Sequence, residues 1–562
     1  MCIFTLCTSS FSAEQSNKIA GFEPAAALQR GERMYREGLL PSGKPMQALV
    51  QEDILVDSTA FSCSSCHLRS GIGSVEGQVF TPPVDGNTLF RAVAEAPMGS
   101  QGKFSRESIQ RAAAGFGRPA YTDISLATAI RGGVNPLGKS LNKTMPRYPL
   151  DDDDMAILLF YLKNLSTTVP PGVTNMNLHF ATVVTDDVPA IDRQAVLGPL
   201  ELMANVSKSG KASKMAKMTI AAGKDDPMAK GYRTLTLSQW ILKGPSGSWK
   251  GQLEEYYKKD PVFALLGGIS NSDWRLMHEF CESHKIPCIL PLTDFPVLSE
   301  TDWYTLYFSK GLYQEGEAAA KFLHRREAHI QGLSIVQVYR DNRQEQSLSK
   351  GFDEAWSELG YGKTVHRIVT AGEVVNADFW AQIVNHHKEA VFLLWLKPSD
   401  ITFVSALSNM PHRPRVVFLS SSLLRQATYT LPDSIRKYAF ITYPYRLPDD
   451  FERFKPSLTG WFSKTHLKDA NPEIQVKMLT IFSLVPQAVF MMQGYFVRER
   501  FLEVIDMMQT MQTMDETASI APLYPRFSFG PGQRYAVKGC YITQLTDGPT
   551  PKLVSVSDWV IH

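Results

Sequence analysis

Hydrophobic positions in the second two-thirds of the chain switch repeatedly between a period of two and a period near 3.6. Residues 178–184, 233–237, 262–266 and 288–290 are short apolar runs of strand type, and between them 192–206, 249–259 and 273–284 carry apolar residues at helical spacing. A second series follows, with strand-like runs at 333–339, 390–395 and 415–419 separated by helical patterns at 347–359 and 399–408. Such alternation predicts parallel sheets covered by helices, and two series predict two α/β lobes. Upstream the pattern changes. Residues 31–38 predict a short helix and residues 150–165 a longer one, with Asp151, Asp152, Asp153 and Asp154 in its first turn where they complement the helix dipole. Residues 166–174 then carry two prolines and a glycine, which stop a helix and stiffen a spacer.

These breaks predict a leader over 1–13, an all-α domain over 25–165, a linker over 166–176 and a two-lobed α/β domain over 177–562. At 562 residues the chain is too long for one ordinary core. A formal charge of +2 gives no basis for nucleic-acid binding, and no apolar run is read as reaching the length of a transmembrane segment. Residues 1–13 pass from an apolar stretch into small residues, as the tail of a secretory signal does, but lack a basic start. The expected signal therefore begins upstream of Met1, and the expected location is the bacterial periplasm.

Composition matters most at Cys63-Ser64-Ser65-Cys66-His67. Two thiols two residues apart can add to the vinyl groups of a haem, while the adjacent imidazole reaches its iron. A zinc site would need a second ligand pair, and Cys2, Cys7, Cys281, Cys288 and Cys540 supply no further C-x-x-C. A dithiol redox pair would sit in a βαβ unit, whereas this motif runs into Gly71-Ile72-Gly73. The expected cofactor is one covalent haem c. Cys281 and Cys288 are placed either to pair with each other or to be buried singly.

The helices bracketing this motif resemble those of class I cytochromes c, in which the first and last helices cross and a glycine of one admits an aromatic residue of the other. The resemblance implies a contact of Gly31 or Tyr35 with Tyr161. It also implies a distal iron ligand at Met145, which precedes Pro146 just before the last helix; Met98, in a loop, is the alternative. Pro82-Pro83 falls where a backbone carbonyl would accept the ring N–H of His67, or is simply a stiff loop. His67 and Met145 together would fill both axial positions, and electron transfer then outranks catalysis.

Residues 262–270, 286–294, 313–320 and 524–535 resemble type I periplasmic binding proteins, the class that includes branched-chain amino-acid receptors. In that fold a small molecule lies between the lobes, at strand carboxyl ends. The resemblance points to Ser270, Asn271, Ser272, Thr293 and Asp294, with backbone N–H groups at 270–273 suited to an anion or, equally, to capping the next helix. Residues 207–231 read as a long lysine-bearing loop, solvated or able to dock an acidic partner. Trp274, Trp380, Trp395 and His386-His387 read as core or surface residues.

The first expectation is an exported monohaem electron carrier, not an enzyme. Its partners would be a periplasmic dehydrogenase, a reductase or another cytochrome. The alternative is a haem-linked solute receptor or sensor, and a catalytic subunit with a labile haem is a third.

Overall fold

The computed structural model describes residues 18–561 apart from 52, 77–78, 94–116, 211–212, 215–216, 219–230, 327–329, 466–470, 509–520 and 531. Residues 1–13 and Met98 lie outside the described residues. The chain divides into two compact units, Met1–Pro170 and Pro171–His562.

In the first unit, helix α1 (Pro24–Glu37) opens on a proline, whose fixed φ suits a first turn, and ends where Gly38 takes the left-handed conformation at φ 71°. It has 14 residues against the eight expected. Further on come α2 (Cys63–His67), α3 (Gly86–Leu89), α4 (Asp123–Gly132) and α5 (Asp152–Asn164). Asp151 caps α5 by accepting the Asp154 N–H at 2.8 Å, and three aspartates follow it in the first turn. Helices α1 and α5 cross at Gly31. A Cβ there would fall 2.5 Å from that of Tyr161 and 2.9 Å from the Ile157 carbonyl oxygen, and the Tyr35 and Tyr161 rings lie 5.5 Å apart. Met34, Tyr35, Met155, Leu158 and Leu162 close the core around this crossing.

This unit is not all-α. Strands β1 (Gln47–Val50) and β2 (Ile54–Asp57) pair antiparallel, as do β3 (Ser74–Glu76) and β4 (Val79–Thr81). Ribbons of three or four residues carry too little alternation to stand out in a sequence.

The second unit holds two sheets. Strands β5 (Asn177–Thr185), β6 (Thr234–Leu242), β7 (Ala264–Leu266), β8 (Cys288–Ile289) and β9 (Thr305–Ser309) alternate with α6 (Ala190–Ser209), α7 (Trp249–Lys259) and α8 (Arg275–His284). They form a parallel sheet whose order, from the far edge, is β9, β8, β7, β5, β6. After α9 (Leu312–His324) the second lobe repeats the plan: β10 (Ile335–Arg340), α10 (Arg343–Glu358), β11 (Val365–Val369), α11 (Ala377–His386), β12 (Val391–Trp395), β13 (Val416–Ser420) and β14 (Ala439–Tyr443). Its parallel strands run β11, β10, β12, β13, β14. In both sheets the second strand lies to one side of the first and later strands to the other, which is a doubly wound order.

The lobes are not consecutive in the chain, as two simple series would have them. After β14 the chain returns to the first lobe, where α12 (Pro472–Met491) and α13 (Arg498–Met508) enter the core and β15 (Tyr535–Val537) pairs with β9. It then crosses again, and β16 (Tyr541–Leu545) and β17 (Leu553–Ser555) extend the second sheet antiparallel. Helix α12 also corrects the reading of apolar runs, because it is long and apolar enough to cross a membrane by length and composition. Half of it is buried, with Met478, Ile481, Leu484, Val485 and Ala488 in the core of the first lobe. The helix expected at 399–408 is instead two 3₁₀ segments, Pro398–Asp400 and Val404–Asn409. Asp400, the last residue of the first, is held by Arg340, whose Nε donates to it at 2.7 Å.

Candidate functional sites

Helix α2 places Cys63, Cys66 and His67 on little more than one turn. Cys63 is half-buried and Cys66 exposed, and neither is in a disulfide. Burial pushes the Cys63 thiol up to about 12. His67 is buried, and its Nδ1 bonds the Pro82 carbonyl oxygen at 2.8 Å. A carbonyl only accepts, so Nδ1 carries the proton and Nε2 keeps its lone pair. Burial lowers the His67 pKa, with the Pro82 bond opposing it, and the ring is neutral as a metal ligand must be. Gly73, in the left-handed region at φ 73°, lets residues 81–82 approach: a Cβ there would collide with the Thr81 carbonyl.

Two tyrosines enclose the motif. Tyr35 donates to the Leu68 carbonyl at 2.7 Å, tying α1 to the residue after His67. Tyr148 donates to the Phe61 carbonyl at 2.7 Å, and its pKa is raised first by burial and then by the charges of Cys63 and Cys66. Met145, half-buried, stands three residues before Tyr148, so its segment returns to the motif. The context is a short helix between two antiparallel ribbons, not the βαβ setting of a dithiol redox pair. Among the described residues no group of three or more His, Cys, Asp and Glu side chains gathers as a metal site.

In the second unit the five expected pocket residues lie at the carboxyl edge of the first sheet, beside the point where its winding reverses between β5 and β7. Ser270 is buried, and its Oγ accepts the Ser272 N–H at 3.0 Å. Asn271 donates to the Asp187 carbonyl at 2.9 Å, and Thr293 Oγ1 accepts the Phe295 N–H at 3.0 Å. Asp273 accepts the Arg275 N–H at 2.9 Å. Of the N–H groups at 270–273, that of Ser272 is thus already taken by a side chain of the loop itself, and Trp274, not a serine, occupies the N-cap of α8.

Across from this edge stands a set that sequence reasoning missed. Arg343 and Gln344 open α10 at the corresponding reversal of the second sheet, between β10 and β12. Arg343 pairs with Asp273 at 2.7 Å and stacks over Phe295 at 4.3 Å, while Gln344 donates to Asp294 at 3.3 Å. The expected start of α10, residue 347, falls four positions late. A signal was present in Asn342, which caps the helix by accepting the Glu345 N–H at 3.2 Å, with an acidic residue at the third position.

The three chain crossings between the lobes converge on the first turn of α9. Gln314 accepts the Lys310 N–H at 3.3 Å and donates to the Gly539 carbonyl at 3.2 Å. Glu315, 1% exposed, accepts from Ser420 at 2.8 Å and from Thr442 at 2.5 Å. Burial pushes its carboxyl up to about 7, with three hydroxyl bonds opposing and Asp294 adding to the rise. Beside this turn, Lys477 donates to Glu473 at 2.8 Å and lies 5.7 Å from the centre of the Tyr445 ring, which packs on Tyr524.

Other residues resolve as bulk structure. Trp274, Trp380 and Trp395 are fully buried. Cys281 and Cys288 are buried and unbridged, with desolvation driving the Cys281 thiol well up. The expected lysine-bearing loop begins later than predicted, because α6 runs to Ser209.

No protein-family profile and no curated protein sequence matches the chain. Among solved structures it is similar to a fatty acid ABC transporter substrate-binding protein from Thermomonospora curvata, with 14% identity over 70% of this chain and 94% of that one and a TM-score of 0.41. It is similar to an ABC transporter substrate-binding protein from Sphaerobacter thermophilus, with 12% identity, 68% and 98% coverage and a TM-score of 0.48. A third is a solute-binding protein of an ABC transporter from Rhodopseudomonas palustris BisB5 in complex with 3,4-dihydroxybenzoic acid, with 11% identity, 69% and 98% coverage and a TM-score of 0.46.

Proposed function

We propose that the chain is an exported, haem-bearing solute receptor. The observation that carries the reading is the facing pair of winding reversals in the second unit, joined by Arg343 to Asp273 and by Gln344 to Asp294. Ligands of doubly wound sheets lie at such points, where side chains from several strand ends converge. Two sheets meeting there grip a solute from both sides, and three crossings gathered at Gln314 and Glu315 form the pivot on which lobes part and close. Ser270, Asn271, Ser272, Thr293 and Asp294 supply one wall and Arg343 and Gln344 the other.

In the first unit, Cys63 and Cys66 would hold one haem c through thioethers, with His67 as proximal and Met145 as distal iron ligand. The fit rests on two unbridged thiols beside a buried neutral imidazole whose Nδ1–H is fixed on Pro82. Bound there, the group supplies a one-electron couple whose potential a thioether ligand raises. Tyr35 and Tyr148 tie α1 and the Met145 segment to the motif. The His67–Pro82 bond favours a second reading, an electron carrier that uses the lobes to dock a dehydrogenase, a reductase or another cytochrome. In both readings the protein is periplasmic and not an enzyme.

A thermal-shift screen of the full chain against amino acids, fatty acids, aromatic carboxylates and sugars separates the two. The receptor reading expects one class to raise the melting temperature with saturation, as a ligand that binds only the folded state must. If no class shifts it, the carrier reading stands instead.

A further inference from the structure

Arg147 is buried beside the segment that carries Met145. Its backbone is fixed: the Leu49 N–H donates to the Arg147 carbonyl at 2.7 Å, and the Arg147 N–H donates to the Leu49 carbonyl at 2.9 Å. From this anchor on β1 the side chain turns back under residues 141–145. One guanidinium nitrogen donates to the Met145 carbonyl, and another donates to the carbonyls of Leu141 at 3.3 Å and Asn142 at 3.4 Å. The charge is thus met by three carbonyl dipoles and, among the described residues, by no carboxylate. Room for it comes from Gly133, where a Cβ would collide with the guanidinium group.

Burying a cation this way is costly unless the geometry returns something. Three carbonyls of one loop are held by a single rigid fork, which adds to the loop's own bonds, Met145 N–H to the Asn142 carbonyl at 3.1 Å and Thr144 N–H to Asn142 Oδ1 at 3.0 Å. An ammonium in the same place has the charge but not the planar fork.

We propose that Arg147 is the positioning residue for Met145, holding the 141–145 loop so that the thioether stays at the iron. This rests on the haem half of the proposed function. Arg147 does not touch the iron; it sets how firmly the distal ligand is held, and therefore which side of the redox couple is favoured and how well external ligands are kept out.

The test uses the full chain matured with haem, as wild type, Arg147→Gln, Arg147→Lys and Met145→Ala. It reads the methionine-to-iron charge-transfer band of the oxidised form, carbon monoxide binding to the reduced form and the midpoint potential. The expected result is a band in wild type that both Arg147 variants lose in large part. Their carbon-monoxide-binding fraction should rise by about tenfold or more, since each charged hydrogen bond lost is worth roughly that factor. Their potentials should move toward that of Met145→Ala. If Arg147→Gln does not mature, Arg147→Lys carries the same comparison. An Arg147→Lys protein with wild-type band and carbon monoxide binding overturns the role, leaving the charge alone as what matters, and so does an unchanged Arg147→Gln. Wild type without covalent haem sinks the haem reading and this inference together, whereas haem with an intact band in both variants sinks only the role of Arg147.

Discussion

The two units encode their chemistry at different ranges. In the first, the candidate groups arise from one five-residue motif and a loop, and the bond that orients His67 spans 15 positions to Pro82. In the second, no single stretch holds a site. The bond from Gln344 to Asp294 spans 50 positions, that from Thr442 to Glu315 spans 127, and that from Gln314 to Gly539 spans 225. A motif whose spacing is itself the chemistry can be read along the chain, whereas a crevice exists only once two doubly wound sheets have placed their reversals face to face.

The two units differ most sharply at Glu315. In the folded chain its carboxyl holds a proton up to about 7, against 4.5 when unfolded, so the folded state binds the proton more tightly. Stability of the second unit is therefore greatest below pH 4.5 as far as this group is concerned, and falls as pH climbs through 7, by about 3 kcal/mol in all. Asp506, pushed up to about 6 by burial, adds a loss in the same direction between 3.8 and 6. Glu315→Gln should remove the first slope and leave the second, as read from urea midpoints across pH. A variant with the wild-type slope would mean that the pivot does not bury this proton.

In the first unit the matching test is Gly31→Val. Its side chain has no room at the α1–α5 crossing, and the substitution should cost about 2 kcal/mol or more, the usual penalty for overpacking. Thermal unfolding should show the loss in the first unit while the transition of the second is unmoved. A shift in both would mean that the units do not unfold independently. The smallest effect belongs to Arg343→Ala. Arg343 and Asp273 are 48% and 33% exposed, so breaking their pair should change stability by less than about 1 kcal/mol. A larger loss by urea titration would make Arg343 a structural residue and not a wall of the crevice.

Much of the architecture was legible because strands buried on both faces read as apolar runs. Phe263, Leu265, Phe392 and Leu394 mark two of them, and α7 begins and ends where its pattern does. The return of the chain to the first lobe was not legible. Strand β15 has three residues, and α12 hides its membrane-like composition behind Glu473 and Lys477. In the first unit the crossing at Gly31 was readable from a resemblance, but the short ribbons were not. Of the proposed crevice, one side was legible in the sequence through Ser270 and Asp294. The other wall depends on where α10 starts, which a capping residue, Asn342, decides.

The most direct measurement is the intact mass of the full chain after expression with a c-type haem maturation system, beside a Cys63→Ser, Cys66→Ser variant. One covalently attached haem is expected on the wild-type chain and none on the variant. An unmodified wild-type mass, or a haem that persists in the variant, would contradict that expectation.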